Sequence, residues 1–409
     1  MSRPRRILIL VENLPSPFDR RVWQEAGALR DAGYTVSIIC PTGRGYEKKF
    51  EFIEGIAIWR YRLPLEGQGA AGYLSEYAVA LVCSFFLACK VLATRGFDAI
   101  HACNPPDLFF LIGGFFKLFG KKFVFDHHDL NPELYEAKFG RRDAFHRLLR
   151  QLEYWTFRTA DVSIATNESY RRVAIERGRM PPDRVFVVRS GPSLERMKRV
   201  PPNPELKRGR RYLVGYVGVM GQQEGIDYLL RAAREIVIGR GRTDVHFGLV
   251  GGGTSLPALK RLSAELGIAD FVTFTGRVPD EEMLAMLNTA DVCVNPDVAN
   301  EMNDKSTMNK IMEYMALGKP IVQFDLTEGR YSAQEASLYA RRNDARDFAA
   351  KILLLLDDSV RRAAMGEVGR RRIENELEWR HEVPKLLAAY ESLWRAPGVA
   401  ASGSGVQLR

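Results

Sequence analysis

Short β-rich runs alternate with helix-patterned stretches along this chain, twice over, and that rhythm leaves few folds open. The first series runs through Ile7 to Val11, a helix near Arg21 to Ala32, Thr35 to Cys40, Ala99 to His101, Phe123 to Asp126, Val162 to Ala165 and Val185 to Val188. The segment Val200 to Arg211 (VPPNPELKRGRR) then packs prolines and basic residues together without periodicity, as a linker does. A second series follows at Leu213 to Val217, His246 to Val250, Val272 to Thr275, Val292 to Asn295 and Pro320 to Phe324. Strands separated by helices build parallel, doubly wound sheets. The expectation is therefore an α/β protein of two Rossmann-like domains, residues 1–199 and 212–380, joined by 200–211 and facing each other across a cleft. Residues 381–396 read as a C-terminal helix packing back on the first domain, and the small-residue tail 397–409 as disordered.

Charge narrows the class of partner. Lys and Arg (59) outnumber Asp and Glu (50), and the whole surplus lies in residues 1–200, with 31 basic and 22 acidic residues against 28 and 28 in the rest. No RNA-binding signature, zinc-finger spacing or helix-turn-helix pattern accompanies it, so no nucleic-acid partner is expected. A phosphate-bearing substrate or an anionic membrane surface fits the same charge. The five cysteines are scattered through apolar runs and read as buried thiols of a reducing compartment. Arg3, Arg5 and Arg6 precede only a five-residue apolar run, too short for a signal peptide, and the expected location is cytoplasmic.

Three apolar stretches bear on the membrane. Ala78 to Cys89 (AVALVCSFFLAC) falls short of the ~20 residues of a transmembrane span and reads as a buried helix or as a surface helix dipping into lipid. Leu108 to Phe119 (LFFLIGGFFKLF) is similar. Arg141 to Arg158 interleaves Phe145, Leu148, Leu149, Leu152, Trp155 and Phe157 with arginines, as a basic amphipathic helix or as a core-packed helix with a solvated face. Together they suggest a peripheral position on the cytoplasmic face of a membrane.

The strongest motif is Asn303 to Val322, NDKSTMNKIMEYMALGKPIV. Asn303, Asp304, Ser306 and Thr307 are cap-forming residues, and the free N–H groups of a helix beginning there suit a diphosphate. Lys305 and Lys310 add positive charge. Glu313, about two turns along, can accept hydrogen bonds from two adjacent hydroxyls such as a ribose diol. Gly318-Lys319-Pro320 ends the helix.

The chain here resembles the GT-B glycosyltransferases of family 4, the retaining type that uses nucleotide-sugar donors. The resemblance runs through LILVENLPSPFDRRVWQEAGALRDAGYTVSIICP, FDAIHACNPPD, VFDHHDLNPE, ADVSIATNES, VGYVGVMGQQEGIDYLL, LVGGG, VTFTGRVPDEEMLAMLNTADVCVNPD and NKIMEYMALGKPIV. The subgroup it looks most like builds bacterial capsules, exopolysaccharides and O-antigens. The resemblance implies that Glu313 holds the donor ribose and that Arg277 and Val278 sit by the base. Gly221, Ser306, Thr307, Asn309 and Lys310 would line the donor site, and His128 would lie near the transferred sugar. Asp19, Arg20, Arg21 and Asp129 become acceptor-side candidates. The implied acceptor is a saccharide or a polyprenyl diphosphate-linked saccharide, with no metal and no cofactor beyond the donor.

Three departures from the family pattern stand out. Eight residues before Glu313, where the family carries a second glutamate, stands Lys305. The family's diphosphate clamp of Arg and Lys is replaced by Val219 or Met220 and by Glu224, a carboxylate that would repel phosphate. The N-terminal loop NLPSPFDRR lacks the usual paired glycines. Lys305, with Lys310, is the expected substitute for the lost charge, and Lys305 joins His128 as a catalytic candidate. Other classes remain open: a nucleotide-sugar sensor without turnover, an epimerase acting on the nucleotide sugar, or a nicotinamide-dependent oxidoreductase. Against the last, residues 12–21 (ENLPSPFDRR) hold no GxGxxG.

Overall fold

Strands buried on both faces must be apolar along their whole length, and runs such as Arg6–Leu10 (RILIL) satisfy this. A computed structural model describes residues 3–63 and 69–395; the expected tail 397–409 lies outside the described residues. The first sheet comprises β1 (Arg6–Leu10), β2 (Thr35–Pro41), β3 (Phe50–Ile53), β4 (Ile56–Tyr61), β5 (Ala99–Cys103), β6 (Lys122–His127), β7 (Val162–Ala165) and β8 (Val185–Val187). The second comprises β9 (Tyr212–Val217), β10 (Val245–Val250), β11 (Val272–Gly276), β12 (Val292–Asn295), β13 (Ile321–Phe324) and β14 (Ser337–Ala340). Their orders are β3-β4-β2-β1-β5-β6-β7-β8 and β11-β10-β9-β12-β13-β14. Every pairing is parallel except β3 with β4. Two doubly wound Rossmann-like sheets result, and strand order reverses between β1 and β5 in one and between β9 and β12 in the other, the points beside which ligands bind.

Several elements differ from the sequence reading, among them the edge strand β14, which the second series stops short of. The β3–β4 hairpin on the edge of the first sheet turns on Glu54 and Gly55, both at positive φ (47° and 83°), a turn whose twist matches its strands. The apolar run expected to span 12 residues lies in a 26-residue helix, Gly69–Thr94, because small and polar residues before it continue the helix. Its Ser75–Thr94 portion is long and apolar enough to cross a membrane, although Ala80, Ser84, Ala88 and Val91 of the same helix are buried against the first domain. The expected linker is not a free tether: Val200 and Leu206 pack against the core of the second domain, Asn203 N–H donates to Thr289, and Lys207 pairs with Asp291. That carboxylate also accepts from Leu213 N–H, so Asp291 is structural.

The chain crosses between domains twice, near residues 189–194 and 377–379. The second crossing launches the helix Trp379–Trp394, whose Leu386, Ala389, Tyr390 and Leu393 pack with Ile7, Ile9, Val22, Leu29 and Ile38 of the first domain. The crossings touch: Trp379 N–H donates to Pro192 O, and a Cβ on Gly191 would lie 2.4 Å from Leu377 O and 2.7 Å from Trp379 N. Since those neighbours are backbone, Gly191→Ala should force the crossings apart and lower the unfolding free energy by about 1–3 kcal/mol in a urea titration. An unchanged midpoint and slope would show that the crossings yield without cost.

Candidate functional site

The carboxyl end of β6 carries Asp126-His127-His128-Asp129, and its two histidines have opposite fates. His127 is fully buried among Phe125, Phe157 and Tyr170, with neither ring nitrogen hydrogen-bonded and Glu153 Oε1 3.6 Å from Nε2. Burial, with Arg177 and His128 nearby, pushes its pKa down to about 3. His128 is only partly buried and its Nε2 meets the Asp126 carboxylate.

Asp126 is fully buried, and the Arg21 guanidinium holds its carboxyl well below the usual range despite burial. Arg21 reaches Asp126 at 2.8 Å, Glu25 at 2.9 Å, Val188 O at 2.9 Å, Ser190 Oγ at 3.1 Å and His128 Nε2 at 3.0 Å. Arg21 is thus a buried strut beneath the site. Asp19 likewise caps the helix Arg20–Asp31, its Oδ1 accepting from Val22 N–H. Asn104, absent from the sequence reading, fixes the turn after β6: its Oδ1 accepts from His128 and Asp129 N–H, and its Nδ2 donates to Asp107 and Asp129 O. The Asp129 carboxyl is raised by burial. His101 is wholly in the core, bonded to Tyr390 and Asp126.

In the second domain the Asn303 to Val322 motif is two helices, not one. Glu301–Lys305 is capped by Asn300, and after a break at Ser306 to Met308 the helix Asn309–Ala316 begins without a side-chain cap. The expected caps have other partners. Asn303 holds Gln223 O and Val298 O, Asp304 accepts from Thr327 and Arg342, and Ser306 donates to Met302 O. Thr307 accepts from Asn167 and Arg189 across the cleft. Lys305 points to the opposite domain, bonding Glu133 at 3.2 Å and Glu301 at 2.7 Å. Two carboxylates already hold the charge expected to meet a diphosphate.

Lys310 is engaged similarly, by Glu224 at 2.9 Å and Asp297 at 2.8 Å, with Asp297 pushed up to about 7 by burial. The Glu224 carboxylate expected to repel phosphate is therefore paired with Lys310. The Gly251-Gly252-Gly253 run serves backbone packing: a Cβ on Gly251 would lie 1.9 Å from Gly218 O, and one on Gly253 2.5 Å from Met220 O. Gly221 opens the Gln222–Glu224 turn, Arg277 is exposed, and Val278 packs on the domain core.

Between the domains lies a cavity of about 200 Å³ whose walls include Arg20, Arg21, Ser190, Arg196, Asn309 and Glu313. Glu313 meets Arg196 at 3.1 Å and Arg20 at 3.6 Å, and Asp280 meets the same arginines at 2.7 and 2.8 Å. Arg142 to Glu301 and Ser169 to Glu328 are further contacts across the cleft. Sequence reasoning missed Arg196 and Asp280. No local pattern marks them, since they meet only through the fold. Among the described residues two side-chain sets, His101/Cys103/Asp126 and Glu25/Asp126/His128, lie close enough to ligate an ion, all buried but for His128. Arg21 already supplies the positive charge to Asp126 and Glu25, and burial pushes the Cys103 thiol well up, so neither set suits a cation.

Two parallel sheets of this order with a ligand-sized cleft between their carboxyl ends define a GT-B protein. Residues 19–196 match the family described as Glycosyltransferase Family 4, and residues 211–358 the family described as Glycosyl transferases group 1. The chain belongs to these group 1, family 4 glycosyltransferases. It is similar to the 2-deoxystreptamine glucosyltransferase of Streptomyces kanamyceticus, at 26% identity over 60% of this chain and 64% of that one. It is also similar to the GDP-mannose-dependent monoacylated alpha-(1-6)-phosphatidylinositol monomannoside mannosyltransferase of Corynebacterium glutamicum, at 26% identity over 44% and 49%. The match thus spans less than two thirds of these relatives' length. Sucrose-phosphate synthase from Thermosynechococcus elongatus shares the fold, with a TM-score of 0.78 at 19% identity, covering 95% of this chain and 99% of that one.

The buried His127 has a pH signature. Its pKa is about 3 in the fold against an ordinary 6.5, so its neutral burial stabilises the protein above pH 6.5, and that stability is lost as pH falls toward 3. Urea titrations from pH 7 to 4 should show wild type losing on the order of several kcal/mol more than His127→Leu. Parallel curves would mean that the ring is not held neutral.

Proposed function

We propose that the protein transfers a sugar, with retention of anomeric configuration, from a nucleoside-diphosphate sugar to a saccharide or polyprenyl diphosphate-linked saccharide during surface polysaccharide synthesis. The observation that carries this reading is the interdomain cavity, where Glu313 and Asn309 face Arg20 and Arg21, with His128 joined to that wall through Arg21. Glu313 accepts the ribose hydroxyls, and the uncapped start of the Asn309–Ala316 helix turns free N–H groups toward the phosphates. As the anomeric C–O bond breaks, negative charge grows on the β-phosphate oxygens and positive charge on the sugar ring. The departing phosphate takes the acceptor proton on the same face, while His128, held by Asp126, orients the sugar. Positive side chains and backbone dipoles meet the developing charge, so no metal enters this reading.

Thermal melts with UDP, GDP, ADP and NAD test it. One sugar-carrier nucleotide at a hundredfold over its Kd should stabilise wild type by ~2.7 kcal/mol and do little for Glu313→Ala. Product analysis with the matching nucleotide sugar then separates transferase from sensor and epimerase. Stabilisation by NAD alone, or by none of the four, would overturn the donor site.

The acceptor side of the proposal includes an anionic membrane. Helices of the first domain present Phe86, Leu118 and Phe119 at 67%, 82% and 61% exposure, together with Leu111, Phe115, Leu148 and Trp155. The helix Ala144–Thr159 buries His146 and Glu153 while exposing Leu148 and Trp155, an inversion that suits lipid better than water. Arg147, Arg150 and Arg158 on the same helix are exposed and have no acidic partner among the described residues. The Corynebacterium relative is named for a lipid acceptor, which supports the same orientation. Wild type should sediment with anionic vesicles at low salt and be released by high salt, and Phe86→Glu with Trp155→Glu should abolish binding. Equal sedimentation of wild type and the double variant would remove the lipid face from the proposal.

A further inference from the structure

A nucleoside diphosphate in this cleft needs cations, and the positions that provide them in the resembling family here carry Val219, Met220 and Glu224. Neither expected replacement lines the cavity: Lys305 bridges Glu133 and Glu301, and Lys310 is shared by Glu224 and Asp297. Of the cations that line the cavity, Arg21 is fixed by Asp126, Glu25, Val188 O and Ser190. Two remain, Arg20 and Arg196.

Their settings differ from that of Arg21 in the one respect that matters for a ligand. Arg21 is 8% exposed and its carboxylate partners are fully buried, whereas the side chains of Arg20 and Arg196 are 52% and 25% exposed and bridge Asp280, itself 46% exposed, to Glu313. Such partners exchange readily. When a ribose diol donates its hydroxyls to Glu313, that carboxylate offers its arginine partners fewer acceptor sites, while the diphosphate carried on the same ribose offers several. A guanidinium fork matches phosphate oxygens better than it matches a shared carboxylate.

We infer that Arg196 and Arg20 form the diphosphate clamp of this chain, pairing with Glu313 and Asp280 in the empty cleft and with the donor's phosphates in the loaded one. The inference rests on the donor-site reading above and assigns residues to its phosphate half. Arg20 stands at the start of a first-domain helix, and Arg196 follows the crossing into the second domain. The clamp is therefore complete only when the domains are closed. Leaving-group stabilisation is tied to closure, which keeps an open, wet cleft from hydrolysing the donor.

The test compares a nucleoside diphosphate with its nucleoside by calorimetry, using whichever base stabilises wild type. Arg196→Ala should weaken the diphosphate by roughly 30-fold, about 2 kcal/mol, while changing nucleoside affinity less than about threefold. Arg20→Ala should act in the same direction, and Arg196→Lys should recover part of the loss. Glu313→Gln should weaken both ligands, which separates ribose from phosphate recognition. Melting temperatures of the empty variants, matched to wild type, establish that each is folded. Equal losses for nucleoside and diphosphate in Arg196→Ala, or tighter diphosphate binding, would overturn the inference and make the arginines plugs that the donor displaces. Wild type that binds no nucleoside diphosphate would overturn the donor-site reading itself, and the clamp with it.

Discussion

The buried guanidinium of Arg21 is the interaction on which the cleft depends. It sits where the loop after β1, the end of β6 and the end of β8 converge, and it satisfies a carboxylate that has no access to water. Removing one partner of such a pair leaves an uncompensated buried charge, at a cost of about 3–5 kcal/mol. The same contact sets the height of His128, whose Nε2 is tied to Asp126, and the position of the cavity wall at Ser190. One ion pair therefore serves both the closing of the first sheet's carboxyl end and the placement of the His128 ring.

Charge on the two sides of the cleft is complementary in detail. The first domain offers Arg20 and Arg142 to Asp280 and Glu301, and Glu133 to Lys305. The two arginine contacts join long, partly exposed side chains and are weak compared with the core pair of Arg21, whereas Lys305 meets a Glu133 that is only 4% exposed. Buried contacts such as Arg189 with Glu328 join the same two domains, and the two backbone crossings meet at Gly191 and Trp379.

Most of the fold was legible because parallel strands buried on both faces are unbroken apolar runs bounded by turns. Val162–Ala165 and Val292–Asn295 need no other information. The hairpin Phe50–Tyr61 was not read, since its edge strand alternates exposed and half-buried residues and its turn uses Glu-Gly in place of the commoner Asn-Gly. The site was legible in part. Glu313, read from its place in a motif, does stand in the cavity wall, but the cap-forming residues at 303–307 do not cap the Asn309–Ala316 helix, because their side chains bond elsewhere. Lys305 was read as a ligand for phosphate, and its pairing with the facing Glu133, 172 positions away, has no mark in the sequence. Arg196 could not be read at all: its partners lie 84 and 117 positions on.

The return of the last helix to the first domain bears on how the protein is made. Leu386, Tyr390 and Leu393 fill a face formed by β1, β2 and the Arg20–Asp31 helix. These residues leave the ribosome about 10–40 s after β8 at ordinary elongation rates. Through that interval the first domain has its sheet but lacks the cover of one face, so an apolar surface stands open while the second domain is synthesised. The domain translated first is the one completed last.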